Sequence, residues 1–222
     1  MKIAEKHHAA RQHILKAAKP LIGQRGFSAV GLTQILDVAG VPKGSFYHYF
    51  ESKEVFGEEL LRTYIEDYLV KVDDLFENAD GNAAEKIARY CQFWRDTHLS
   101  KQIGNKCLIV KLAAEVCDLS ERMRAILEGG TKSVIDRLSA LITAGQGEGS
   151  IGNRQEPEML AASLYQLWLG STLIVKITHS SQPFHQTEQA TKRRRENSND
   201  GKANSVLLGE KQRRTAHYTD RA

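Results

Sequence analysis

Apolar residues recur at helical spacing along most of the chain, and no comparable segment alternates with period two. Ile14, Leu15, Ala18, Leu21 and Ile22 fall on one helix face, as do Ile87, Tyr90, Cys91 and Trp94. Phe56, Leu60, Tyr64, Tyr68 and Val72 keep one register across 53–77, and further helices are expected over 106–116, 121–145 and 157–178. The pattern predicts an all-α fold. Gly26 follows the first helix, Ser52 precedes the fourth, Asp118 with Glu121 reads as a capping box, and Pro157 suits a first helical turn. Pro20 breaks the local rule: it removes a backbone hydrogen bond inside the first helical pattern, at about 3 kcal/mol in a regular helix, and predicts a kink.

Composition narrows the classes of function. A chain of 222 residues can hold one domain or two closely joined ones. It has no uninterrupted apolar run near the roughly 20 residues that span a bilayer, and its first residues, MKIAEKHHAARQ, lack the apolar core of a signal peptide. A cytoplasmic protein with no membrane partner is expected. The three cysteines, Cys91, Cys107 and Cys117, form no C-x-x-C pair, so neither a disulfide framework nor a metal site is suggested. The eight histidines and scattered acids assemble no H-E-x-x-H, G-x-S-x-G or phosphate-cradling glycine loop. Neither an enzyme nor a cofactor is expected.

Charge is uneven along the chain. Residues 192–222 carry nine Lys/Arg against four Asp/Glu, which leaves the preceding chain close to neutral. Any argument for nucleic-acid binding by the folded body therefore rests on local motifs. The basic run KRRR at 192–195 reads either as a nonspecific DNA contact or as a solvated terminus.

The informative segment is 31–53, GLTQILDVAGVPKGSFYHYFESK, which divides into two short helices with a tight connection. Leu32, Ile35, Leu36 and Ala39 can face inward on the first, Gly40 permits the turn, Val41 plugs the junction and Pro42 starts the second. Phe46 and Phe50, four residues apart, point into the core together and leave Lys43, Ser45, Tyr47 and His48 on other faces. Those exposed types suit a major groove, where Lys, Ser and His bond base edges and Tyr meets a phosphate or a thymine methyl. Gly44 lets the backbone approach closely, and Thr33 and Lys53 are placed to hold phosphates. Short helix pairs alone are also compatible with a plain αα-hairpin with solvated polar residues.

The run RGFSAVGLTQILDVAGVPKGSFYHYFESKEVF resembles the DNA-binding domain of TetR-family repressors over nearly its whole length. The resemblance implies a three-helix helix-turn-helix head, a long connecting fourth helix, and a helical ligand-sensing and dimerisation domain. It carries DNA contacts onto Lys43, Gly44, Ser45, Tyr47, His48 and Lys53. Gly31 stands where the family usually has a Thr, so the start of that helix lacks a side-chain cap. Three regions follow: a DNA-binding domain over 1–52, a sensor and dimerisation domain over 53–186, and a basic polar tail over 187–222 without fixed structure. A homodimer reading double-stranded operator DNA is implied, with Leu164, Leu167, Trp168 and Ile174 of the 157–178 helix as candidate dimer contacts.

Farther along, KCLIVKLAAEVCDLSERMR and YQLWLGSTLIVKI resemble the sensor domain of the family's electrophile-responsive branch, which controls N-ethylmaleimide reductase. This implies release from DNA when a small electrophile or an oxidant modifies a cysteine. A reversibly bound apolar inducer is the alternative. Cys107 falls in the first turn of a helix with Lys111 one turn on, and both features favour thiolate. By residue type alone, the commoner reading of a helical cysteine such as Cys107 is a small buried hydrophobe, and the resemblance reverses that order. Cys91 lies on an apolar face and reads as core, while Cys117 adjoins an acidic stretch. Lys176 is the neighbour of Cys107 that the resemblance implies. From the sequence alone it could also be a surface lysine.

Overall fold

The computed structural model describes residues 2–100 and 108–196. Among them nine α-helices follow in order, with no strand: α1 (Lys2–Arg25), α2 (Leu32–Ala39), α3 (Lys43–Tyr49), α4 (Lys53–Asp73), α5 (Ala83–Leu99), α6 (Leu108–Leu119), α7 (Glu121–Glu148), α8 (Pro157–Thr178) and α9 (Gln182–Glu196). α4 runs on into one π-helical turn, Asp74–Asn78. α1 remains a helix across Pro20 and ends at Arg25, where Gly26 takes the left-handed φ of 98° that a side chain would resist. Ser52 caps α4, its Oγ accepting from the Val55 N–H at 3.1 Å. The cap of α7 is Ser120, whose Oγ accepts from the Met123 N–H at 3.4 Å. Asp118, expected as that cap, instead belongs to the last turn of α6, which extends to Leu119.

Packing divides the chain into two compact units, Met1–Asn78 with Arg89–Ile135, and Ala79–Ala88 with Asp136–Ala222. These units cut across the three functional regions expected from the sequence. In the first unit a continuous apolar cluster joins Ile14, Ile22, Val30, Ile35, Phe46 and Phe50 of the head to Phe56, Leu60 and Ile65 of α4. The same cluster includes Leu108, Leu112 and Val116 of α6 and Met123 and Leu127 of α7. The head thus shares its core with α6 and the start of α7.

In the second unit α8 and α9 lie side by side. Leu160, Leu164, Tyr165 and Trp168 of α8 are buried, and the Trp168 ring stacks on Phe184 of α9 at 5.8 Å. Leu164 and Trp168, expected at a dimer contact, therefore point into their own unit. The tail expected from 187 is helical to Glu196, because a polar seam anchors it: Trp168 Nε1 donates to Thr191 Oγ1 at 3.0 Å, and the Ser171 and Thr187 hydroxyls are bonded to each other. Residues 197–222 lie outside the described residues. α8 has the length and the mean hydropathy, 1.3, of a candidate membrane span. It is also a half-buried helix packed on its neighbour.

Candidate functional site

The head is assembled so that α3 presents one face and buries the other. α2 ends on Gly40 with a left-handed φ of 63°, and the Val41 N–H reaches back to the Leu36 carbonyl at 3.1 Å. Pro42 caps α3, whose Phe46 is 0% exposed, and Phe50, just past the helix end, is 1% exposed; their rings sit 5.2 Å apart against Phe56 of α4. The opposite face carries Lys43, Gly44, Tyr47 and His48, all exposed, with Ser45 half-buried at its margin. The Lys43 ammonium lies 5.9 Å from the centre of the Tyr47 ring, and Tyr47 is 48% exposed. Thr33 is exposed in the first turn of α2. Gly31 supplies no side-chain cap there, but Gln34 Oε1 accepts from the Gly31 N–H at 3.0 Å.

Lys53 departs from the pattern of a fully exposed phosphate ligand. Its Nζ donates to the Phe27 carbonyl at 2.8 Å and lies 4.6 Å from the centre of the Phe27 ring. Burial lowers its pKa, and the nearby negative charge of Glu115 partly offsets that effect. A phosphate would have to share an ammonium already bonded to the loop between α1 and α2.

Three residues of α1, His7, Arg11 and His13, brace the head, and no motif in the sequence signals them. His13 Nε2 is 2.9 Å from the carbonyl of Ala39, the last residue of α2. The His7 ring packs edge-on against His48 and Tyr49 at 5.0 and 4.6 Å. Arg11 stacks its guanidinium 5.4 Å from the centre of Phe50 and pairs with Glu59 of α4 at 3.2 Å. The spacing of polar residues on α1 marks an exposed face but not what that face touches.

Of the sensor residues, Cys107 lies outside the described residues; it immediately precedes Leu108, the first residue of α6. Lys176 is exposed in the last turn of α8. Cys91 is buried, as its apolar face requires, and Cys117 packs half-buried against the core that the head shares with α6. A carboxylate that no sequence motif marks lies two residues before Cys117. Glu115 Oε2 accepts from the Phe27 N–H at 3.1 Å, and Oε1 accepts from the Ser28 N–H. Burial opposes its ionisation, but the bonds from Ser28 and Phe27 and the nearby charge of Lys111 outweigh burial and hold the pKa below the ordinary carboxylate value.

A helix-turn-helix with a polar, cationic outer face on an all-α body is the architecture of a DNA-binding regulator. Residues 14–60 match the family model of bacterial regulatory proteins of the tetR family, and residues 83–191 match a tetracyclin repressor-like C-terminal domain. The chain belongs to the TetR family. It is 40% identical over 177 residues to the HTH-type transcriptional repressor NemR of Escherichia coli K12, covering 80% of this chain and 89% of that protein. It is 31% identical over 176 residues to the repressor DhaR of Mycobacterium sp. GP1, covering 79% and 87%. The crystal structure of the reduced form of E. coli NemR superimposes with a TM-score of 0.80 at 39% identity, over 84% of this chain and 96% of that one. These relatives are transcriptional regulators, and the function of this chain is transcriptional regulation through DNA.

Proposed function

We propose that the protein is a cytoplasmic homodimeric repressor that holds a roughly palindromic operator through α3 and releases it when an electrophile or oxidant modifies Cys107. The observation that carries the DNA half is the division of α3, with Phe46 buried and Lys43, Gly44, Tyr47 and His48 outward. Lys43, Ser45 and His48 would read base edges, and Tyr47, Thr33 and Lys53 would hold the backbone. One such helix is too small for tight specific binding, so a two-fold dimer reads two half-sites. On α8 the exposed residues Met159, Gln166, Gly170, Leu173 and Ile177 recur at spacings of three, four and seven, one stripe of a kind that pairs with its own copy. Sedimentation at micromolar concentration should find a dimer. Only monomer would contradict this.

The sensing half is supported by the likeness to NemR and by the position of Cys107 in the sequence, one residue before α6. With N-ethylmaleimide, the thiolate sulfur adds to the alkene carbon, a C–S bond replaces the π bond, and the adjacent carbon takes a proton from water. An oxidant such as a peroxide or hypochlorous acid would instead take two electrons and leave a sulfenic acid, itself being reduced. The Lys176 amine would stabilise that sulfur or capture it as an S–N bond with loss of water. Either product changes the volume and charge of the residue that precedes α6 in the sequence. It acts on DNA affinity only if it fits the two conformations of the head differently. Operator binding by wild type and by Cys107→Ser, with and without N-ethylmaleimide, tests this. Retained release in Cys107→Ser would instead favour an inducer that binds reversibly.

A further inference from the structure

We propose that Glu115 is the positioning residue that couples α6 to the DNA-binding head. The inference rests on the sensing role proposed for Cys107, and it adds how a change there reaches the helix-turn-helix.

α6 meets the end of α1 at two points. At its start, Leu108 packs so closely on Gly23 of α1 that a Cβ there would lie 3.3 Å from Leu108 Cδ2. Two turns later, Glu115 holds both consecutive backbone N–H groups of Phe27 and Ser28, in the turn that leads from α1 into α2. A Cβ on Gly26 would lie 2.9 Å from Glu115 Oε2, so this turn is formed around the carboxylate. The same turn is gripped from the other side: Lys53 Nζ bonds the Phe27 carbonyl, and Gly57 of α4 lies so close that a Cβ would meet the Phe27 ring at 2.6 Å and Met123 Cε at 2.5 Å. Phe27 and Ser28, which precede the helix-turn-helix, are thus clamped between α6 and the start of α4, the helix that follows it.

A carboxylate with two backbone donors is a directional link, and removing it leaves those N–H groups without their acceptor. Because α6 begins one residue after Cys107, a shift of α6 on modification is delivered to residues 26–28 through this link. The packed side chains around the turn transmit the shift as a displacement of the head.

The test compares wild type, Glu115→Gln and Glu115→Ala in operator binding before and after complete alkylation by N-ethylmaleimide, with alkylation verified by intact mass. If alkylation raises the wild-type operator Kd by about a hundredfold, within the usual span of coupling between sites, both variants should bind the operator when reduced but respond less than about tenfold. The Gln variant keeps one acceptor oxygen and should fall between the other two. A purely structural role would shift both Kd values together and leave their ratio unchanged, so a wild-type ratio in both variants overturns the proposal. Hydrogen exchange on wild type provides a readout that needs no substitution: the Phe27 and Ser28 amides, whose bonds to Glu115 carry the shift, should stay protected in reduced and alkylated protein alike. Loss of their protection on alkylation would show that the link breaks instead of transmitting and would also overturn it. If alkylated wild type keeps its operator affinity, the sensing role of Cys107 fails and the coupling fails with it. If wild type is released and the variants are released equally, only the coupling fails.

Discussion

Replacing Gly44 by Ala should make the protein more stable and a weaker DNA binder at once. Gly44 is the second residue of α3, it is exposed, and a Cβ built there meets nothing within 4 Å. Glycine costs a helix interior up to about 1 kcal/mol relative to alanine, so Gly44→Ala should stabilise the head by about 0.5–1 kcal/mol. For a chain of this length that corresponds to a rise in melting temperature of roughly 1–4 °C. On DNA the sign reverses, because the added methyl stands on the face proposed to enter the groove. A loss of about 0.7 kcal/mol per head, counted twice in a dimer, weakens operator binding about tenfold. Thermal melts and a quantitative shift assay at fixed salt measure both effects. A higher melting temperature with unchanged or improved affinity would refute the groove-facing role of Gly44. A lower melting temperature would show that its backbone is under a constraint the open space does not reveal.

Phe46→Ala should destabilise the head by about 3–5 kcal/mol in a denaturant or thermal melt, since the ring is fully buried against Phe50 and Phe56. Tyr47→Ala, next to it, should cost no more than about 1 kcal/mol, the value of an exposed cation–π contact, while weakening operator binding. Lys43→Ala should weaken operator binding through the base edge it is proposed to read, whereas Lys53→Ala, at the proposed phosphate ligand, should lower the slope of log affinity against log salt by about 0.9. Thr191→Val leaves the buried Trp168 Nε1–H without its acceptor and should cost about 1–3 kcal/mol, with a drop in α9 helicity by circular dichroism. For Glu115, a depressed folded pKa means a stabilising contribution present above its unfolded value and lost as pH falls through the folded one. Acid titration of stability should therefore fall less steeply below the ordinary value of 4.5 in Glu115→Gln than in wild type.

The fold is legible in the sequence where single residues report on their own surroundings. Phe46 and Phe50, four apart beside Lys43 and Tyr47, show which way α3 faces, and Gly40 and Ser52 mark a turn and a cap by their chemistry alone. The sequence is silent where a bond joins distant segments. Glu115 looks like any polar residue of α6, and nothing near it announces bonds to Phe27 and Ser28, more than eighty residues earlier. α9 escapes detection for a related reason. Its buried face carries Thr187 and Thr191, which are held by hydrogen bonds to α8 rather than by an apolar stripe, and periodicity detects only the latter. Leu164 and Trp168 suggest a partner's surface because α8 is apolar on both sides. The residues facing outward on α8 can be told from those facing Phe184 only once α9 is in place.

The most direct test is operator binding by wild type, Cys91→Ser, Cys107→Ser and Cys117→Ser, each measured before and after N-ethylmaleimide with intact mass recorded. The proposed switch predicts release on the order of a hundredfold in wild type, Cys91→Ser and Cys117→Ser, and retention on DNA in Cys107→Ser alone. Equal release by all four proteins would contradict it.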